Sequence, residues 1–285
     1  MPVADGGEGT AAVLHSALGG SWRAASVADP LGRRVEARFL LLPDGTAVVE
    51  AAAALGLPLL QPEERDPLRA SSRGLGELVL AALAAGAQGV LVCLGGVATV
   101  DGGAGLLEAT RGRLSGVPLR GACDVRNPLL GARGAARAFG PQKGAGPREV
   151  EELERRLAAM TELAAYAELP GAGAAGGLGA ALASLGGALV PGAELVLETL
   201  SFRERIAGAA LVVTGEGTVD ATTAEGKAPA AVVRACAEPG VRCVVFGGRV
   251  EVPLAGVETV ALSGDPGRAV ADLEQLGDRL GREVA

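Results

Sequence analysis

Six acids and two lysines set among glycines are the residues of this chain whose types and spacing could handle a phosphoryl group. Asp5 and Glu8 stand in ADGGEGT with Gly6 and Gly7. Asp101 closes GGVATVD, with Gly95, Gly96 and Thr99 before it and Gly102 and Gly103 after it. Glu216 and Asp220 stand in TGEGTVD with Gly215 and Gly217, and Asp124 precedes Asn127 in CDVRNP. Glycine loops that lead into helices turn backbone N–H groups outward and suit phosphate. Carboxylates hold Mg2+, and a lysine neutralises phosphate charge. Together these residue types point to phosphate handled with Mg2+. Lys143, beside Gln142 in GPQKGA, and Lys227, in AEGKAP, are the only lysines among 26 basic residues. In a chain that otherwise uses arginine, a compact ammonium marks places where a planar guanidinium does not serve.

Standard templates do not fit these loops. EGKAP lacks the upstream glycine and the Ser or Thr after lysine of a Walker A loop. Gly171, Gly173 and Gly176 match G-x-G-x-x-G but follow a charged helix instead of a strand, which argues against a nicotinamide dehydrogenase. Asp124 and Asn127 suit either a ligand or a turn. Asp101, Glu216 and Asp220 stand better, because acids at strand ends in α/β proteins often face the ligand crevice. His15 is the only histidine and lies among small residues of a helix, so it reads as structural. Nucleophilic Ser–His and Cys–His schemes therefore lack support.

The elements that must carry these loops follow from pattern. A helix is expected over 9–18, then three antiparallel strands in SWRAASVA, RRVEARFLLL and TAVVEA. SSRGLGELVLAALAAG has helical spacing with Ser72 as its cap, and GVLVCLGG reads as a buried strand feeding the Asp101 loop. GLLEAT is a helix and LRGACDV a strand. The clearest helix is the charged, amphipathic stretch 147–169, ended by Pro170. Beyond it come a glycine loop, an Ala-rich helix, the strand and loop bearing Glu216, a helix, the strand VRCVVFGG and a closing helix. Continuous apolar strands alternating with helices argue an α/β fold with a parallel sheet. The antiparallel strands over 21–50 argue a second, mixed region.

Composition narrows the classes. The 285-residue chain is 49% hydrophobic and 2% aromatic, so its core is built from Ala, Val and Leu. A net charge of −7 without a basic stripe argues against nucleic acid as a partner. The uncharged stretches 78–100 and 169–193 are interrupted by glycines and read as helix–turn–strand and loop–helix, not as membrane spans. Cys93, Cys123, Cys236 and Cys243 have no metal or redox spacing, and no secretory signal opens the chain, which fits a reducing cytoplasm.

PVADGGEGT, RDPLRASSRGLGEL, GGVATVDGGAG, ACDVRNPLLGARGAARAFGPQKGA, PGAGAAGGLGAAL and TGEGTVDATTAEGKAP resemble, in order, the motifs of bacterial type I glycerate kinases. They span residues 2 to about 230. The resemblance implies transfer of the ATP γ-phosphoryl group to D-glycerate, giving 2-phosphoglycerate, with Mg2+. It also implies two unlike α/β domains with a cleft between them. One is Rossmann-like, mainly parallel and discontinuous over 1–18, 71–118 and 205–285, and the other, with mixed strands, covers 19–70 and 119–204. On this resemblance Asp5, Glu8, Asp101, Glu216 and Asp220 would supply metal ligands and the base for the glycerate hydroxyl, with Asp101 and Asp220 as the metal ligands. Lys143 and Lys227 would neutralise phosphate or carboxylate charge. The glycine loops, with Thr99, Asp124, Asn127 and Gln142, would hold substrate and phosphate. A homodimer is also among the expectations.

The departures from the family pattern are specific. The loop usually reads GGSATNDGG, whereas Val97 and Val100 stand here for its Ser and Asn, and Thr218 stands for an Arg. The segment between LLEAT and ACDV is shorter than usual. The family's opening strand, APDSFKGSLSA loop and helix do not precede PVADGGEGT. Two readings of that stay open: Met1 lies within a longer gene, or the chain is a short, non-catalytic relative that binds a sugar acid or nucleotide.

Overall fold

The computed structural model describes residues 1–284. Contacts divide the chain into two units, 1–192 and 193–285, and each is described by itself. The first unit opens with α1 (Thr10–Leu18) and a hairpin of β1 (Ser21–Ala28) and β2 (Arg34–Leu41). The hairpin turn is tied by the buried Asp29 carboxylate, which accepts from Leu31 N at 2.8 Å and Arg33 N at 2.9 Å. β3 (Thr46–Glu50) follows, and then α2 (Ala52–Leu55), α3 (Arg73–Ala84), β4 (Gly89–Cys93), α4 (Ala104–Thr110) and β5 (Leu119–Ala122). The unit closes with α5 (Ala135–Phe139), α6 (Pro147–Ala158), α7 (Ala174–Ser184) and β6 (Ala188–Val190).

These strands form one six-stranded sheet in sequence order. β1–β2 and β2–β3 pair antiparallel, while β3–β4, β4–β5 and β5–β6 pair parallel. The expected antiparallel and parallel regions thus meet at β3. Ala47, Val48 and Val49 are fully buried there, as a strand covered on both faces requires. Pairing makes neighbours of strands 46–50, 89–93 and 119–122, which the discontinuous division draws from different domains.

Two side-chain clusters fill this unit. One packs Phe39, Val49, Leu75, Leu78, Val92 and Leu106 against the sheet. The other gathers Val100, Leu129, Leu153, Leu157 and Leu163 beneath α5, α6 and α7. The second corrects one expectation. The helix predicted over 147–169 stops at Ala158, Met160 leaves helical geometry with ψ 81°, and a 3-10 segment runs over Thr161–Tyr166. Six residues on from Leu157, an unbroken helix would place Leu163 about 120° around the axis from Leu157, off the core stripe. The break brings Leu163 inward, where it is fully buried.

The second unit contains α8 (Gly192–Thr199, starting at the boundary), α9 (Phe202–Arg205), β7 (Leu211–Val219), α10 (Ala228–Ala237), β8 (Arg242–Val250), β9 (Glu258–Ala261) and α11 (Ala269–Val284). β7, β8 and β9 form a parallel sheet. Strand alternation sends Val219 and Val245 to the face that holds Val233 of α10, and Val244 to the face covered by Leu276 and Leu280 of α11. The closing helix and the strand pair bearing Glu216 and Cys243 therefore match the sequence pattern, whereas β6 and β9, only three and four residues long, carried no readable alternation. Among the described residues no helix is long and apolar enough to cross a membrane.

Candidate active-site loops

In the first unit the opening loop lies across the carboxyl ends of the parallel strands. Gly6, at φ +88°, meets Gly192 after β6 and Ala122 at the end of β5; an added Cβ would stand 2.6 Å from Gly192 Cα. Gly7 faces Gly95, and the Glu8 carboxylate stands over Gly96, where an added Cβ would lie 3.0 Å from Oε2. Asp5 Oδ1 accepts from Gly7 N at 3.1 Å. Ala11 N donates to Glu50 Oε1 at 2.8 Å, tying α1 to the end of β3. Thus Asp5, Gly6, Gly7, Glu8, Gly95 and Gly96 do come together, and they do so where α/β sheets carry their ligands. Asp124 stands two residues beyond the end of β5.

Sequence reasoning missed Glu50. It ends a strand and is half-buried, and burial raises its carboxyl pKa, with the charge of nearby Glu8 adding to the rise. Its only sequence signal is an acid closing an apolar run. The cysteines behave as small core residues. Burial drives the Cys93 thiol far up, and burial, helped by Asp124, pushes Cys123 up to about 12. Neither is a nucleophile at neutral pH.

Asp101 organises the next stretch. Its Oδ2 accepts from Ser72 N at 2.8 Å, Ser72 Oγ at 2.7 Å and Gly105 N at 3.2 Å, and its Oδ1 accepts from Gly103 N at 3.0 Å. Ser72, expected to cap α3, makes no such bond there; its Oγ instead accepts from Leu106 N of α4 at 3.0 Å. Gly102 N donates to Gly176 O at 3.0 Å. Gly176, at φ +73°, sits so close to Thr99 O that no side chain fits. Val97 and Val100, which replace polar residues of the family motif, are 2% and 1% exposed and pack into the two cores.

Lys143 is 3% exposed, and its Nζ donates to Thr99 O at 2.7 Å. Burial lowers its pKa to about 7, against a smaller opposing pull from Asp101. Gln142 beside it is exposed. Asn127 serves the turn: its Nδ2 donates to Arg133 O at 2.6 Å, and its carbonyl accepts from Gly173 N at 2.9 Å.

In the second unit Glu216 lies in β7 and Asp220 directly after it, so both face the start of α10 from the carboxyl end of a parallel strand. Lys227 Nζ stands 3.6 Å from Glu216 Oε2 and 3.5 Å from Asp220 Oδ1, and its side chain is one-third exposed, at 33%. Thr223 Oγ1 donates to Glu216 Oε1 at 2.5 Å, while Asp220 Oδ1 accepts from Thr222 Oγ1 at 2.6 Å and Thr222 N at 2.8 Å. The Thr222 hydroxyl in particular holds the Asp220 carboxyl below its ordinary pKa, with Lys227 assisting. Gly215 packs under Phe246, and Gly217 is open to solvent.

Known proteins resemble this chain throughout. The model of the glycerate kinase family matches residues 1–114 and 109–264. Glycerate 2-kinase of Escherichia coli K12 is 43% identical over 270 residues, covering 81% of this chain and 71% of that protein. Glycerate kinase of Bacillus subtilis 168 is 40% identical over 288 residues, covering 88% and 75%. A crystal structure from Salmonella typhimurium LT2, described as a glycerate kinase 2, superposes with a TM-score of 0.78 at 37% identity, covering 92% of this chain and 80% of that one.

Proposed function

The chain belongs to the glycerate kinase family, and from that premise we propose that it transfers the γ-phosphoryl group of ATP to D-glycerate, giving 2-phosphoglycerate. The observation that carries this reading is the gathering of the opening loop and the Gly95–Gly96 loop at the carboxyl ends of β3 to β6, in a chain so similar to kinases. Phosphoryl transfer asks a protein chiefly to position the reactants and to neutralise charge. Backbone amides of Gly6, Gly7, Gly95 and Gly96 are suited to hold phosphate or carboxylate oxygens. Lys227, the accessible lysine, neutralises phosphate charge, with Glu216 and Asp220 orienting its ammonium. Asp5 and Glu8 are the acids of the opening loop left to accept the proton of the reacting hydroxyl, because Asp101 is engaged by four donors in holding its loop.

Among the described residues no three His, Cys, Asp or Glu side chains are placed to hold a metal. Kinase Mg2+ rests mainly on phosphates with one or two carboxylates, so the fit falls to single acids. Both oxygens of Asp101 already accept hydrogen bonds, whereas the bonds to Asp220 converge on Oδ1. Asp220 therefore fits the ion better. When bound, Mg2+ supplies neutralisation of phosphate charge.

The buried positions of Val97 and Val100 favour an active chain over a non-catalytic one, since the apolar substitutions fall in core and not on an open loop surface. Free cysteines and the acidic charge support a reducing cytoplasm and small-molecule substrates rather than nucleic acid. Thermal shift with ATP–Mg2+, D-glycerate and NAD, read beside glycerate-dependent ADP release, tests the proposal. Stabilisation by the first two with ADP release supports it. Stabilisation by glycerate or ATP–Mg2+ without turnover supports the non-catalytic alternative, and stabilisation by NAD alone contradicts both.

A further inference from the structure

The two lysines of this chain stand in opposite surroundings. Lys227 is one-third exposed and flanked by two carboxylates, whereas Lys143 is 3% exposed. A buried amine needs a hydrogen-bond partner, and Lys143 Nζ donates to a backbone carbonyl, Thr99 O, at 2.7 Å. That carbonyl is confined on its other side by Gly176, where even a methyl group would collide with it. The stretch around it is pinned at further points. Val97 bridges to Gly56, Ala98 N donates to Leu55 O at 2.8 Å, and Gly102 N donates to Gly176 O at 3.0 Å.

Resting on the kinase reading of this loop, we propose that Lys143 is a positioning residue whose side-chain amine holds the Thr99–Asp101 segment from within the protein and does not touch phosphate. The geometry explains why lysine survives here in a chain that otherwise uses arginine. A single compact donor reaches one carbonyl in closed space, while a guanidinium is bulkier and brings five N–H donors that would each need an acceptor there. The carbonyl accepts a hydrogen bond from an amine that can donate whether or not it is charged, and the segment between β4 and α4 is set in one conformation. Through Asp101 that conformation also sets the start of α4 and the Ser72 junction.

Two measurements test this. The first uses the native protein and the fact that it has only two lysines. Acylation with an N-hydroxysuccinimide acetate, read by peptide mass spectrometry, should modify Lys227 at least about tenfold faster than Lys143, as access to a buried amine requires local opening. ATP–Mg2+ should slow the labelling of Lys227 and leave Lys143 unchanged. Labelling of Lys143 as fast as Lys227, or its protection by ATP–Mg2+, overturns the proposal. The second compares Lys143→Met with Lys143→Gln. The Met variant should lose about tenfold or more in kcat with KM for ATP within about twofold, because it disturbs geometry and not binding. Gln, which restores an N–H for Thr99 O without charge, should recover kcat to within about threefold of wild type. Equal losses in both variants with a raised KM for ATP, or full kcat in the Met variant, overturn it. Wild-type turnover is recorded first: its absence defeats the kinase reading, while the acylation pattern still decides the place of Lys143.

Discussion

One buried side chain should contribute stability that grows with pH above neutrality. Burial holds Lys143 at a pKa of about 7 in the folded chain, with Asp101 opposing, against 10.5 for the free side chain. Between those values the unfolded chain binds a proton that the folded chain has released, so the Lys143 contribution to unfolding free energy increases with pH there and is flat below about pH 7. At about 1.4 kcal/mol per pH unit, the gain from about pH 7 to about pH 9 is about 2 to 3 kcal/mol. Lys143→Met removes the titrating group, and its stability should lack this rise. Trp22 is the only tryptophan and lies in the same 1–192 unit, with Arg38 stacked 5.0 Å from its ring, so its fluorescence follows unfolding of that unit. Urea denaturation of both proteins across this pH range supplies the comparison. Wild type should gain on the variant by the stated amount; two curves that run parallel from neutral to alkaline pH would refute the reasoning.

Other expectations follow from single contacts. Gly176→Ala places a Cβ against Thr99 O at a left-handed φ of 73° and should destabilise the first unit by about 2 kcal/mol or more, read by the same urea titration. Leu163→Ala empties a fully buried site and should cost about 2 to 5 kcal/mol; a loss below about 1 kcal/mol would show that the broken helix does not serve to bury it. Lys227→Ala removes the accessible ammonium and should lower kcat/KM for glycerate by about tenfold or more in a coupled ADP assay, with near-normal kinetics sinking its role.

Much of this fold is written locally. Apolar runs such as VLVC and CVVF announce buried parallel strands, and the DPLG and PDG turns announce the hairpins, because pleat and turn chemistry act over a few residues. Pairing partners are different. That β3 joins an antiparallel neighbour to a parallel one is set by packing over long separations, and no short pattern encodes it. The end of α6 at Ala158 is of the same kind: helix propensity continues through LAAMTELAAY, and the burial of Leu163 overrides it. Among candidate site residues, the glycines and acids of the opening loop were legible because positive φ and close backbone approach demand glycine. Lys143 and Lys227 looked alike in sequence, since both sit in glycine-rich loops; only burial separates them. Glu50 gave little signal, because a strand-ending acid becomes notable only once α1 is seen to hang from it.

Phosphorylation of glycerate by this chain can be measured directly. Purified protein is incubated with ATP, Mg2+ and D-glycerate, and the product is passed directly to enolase, which dehydrates 2-phosphoglycerate and not its 3-phospho isomer. ADP and enolase substrate should appear in equal amounts, and only when glycerate is present. A folded protein, by its Trp22 fluorescence and urea transition, that releases no ADP above the glycerate-free control would contradict the proposed activity.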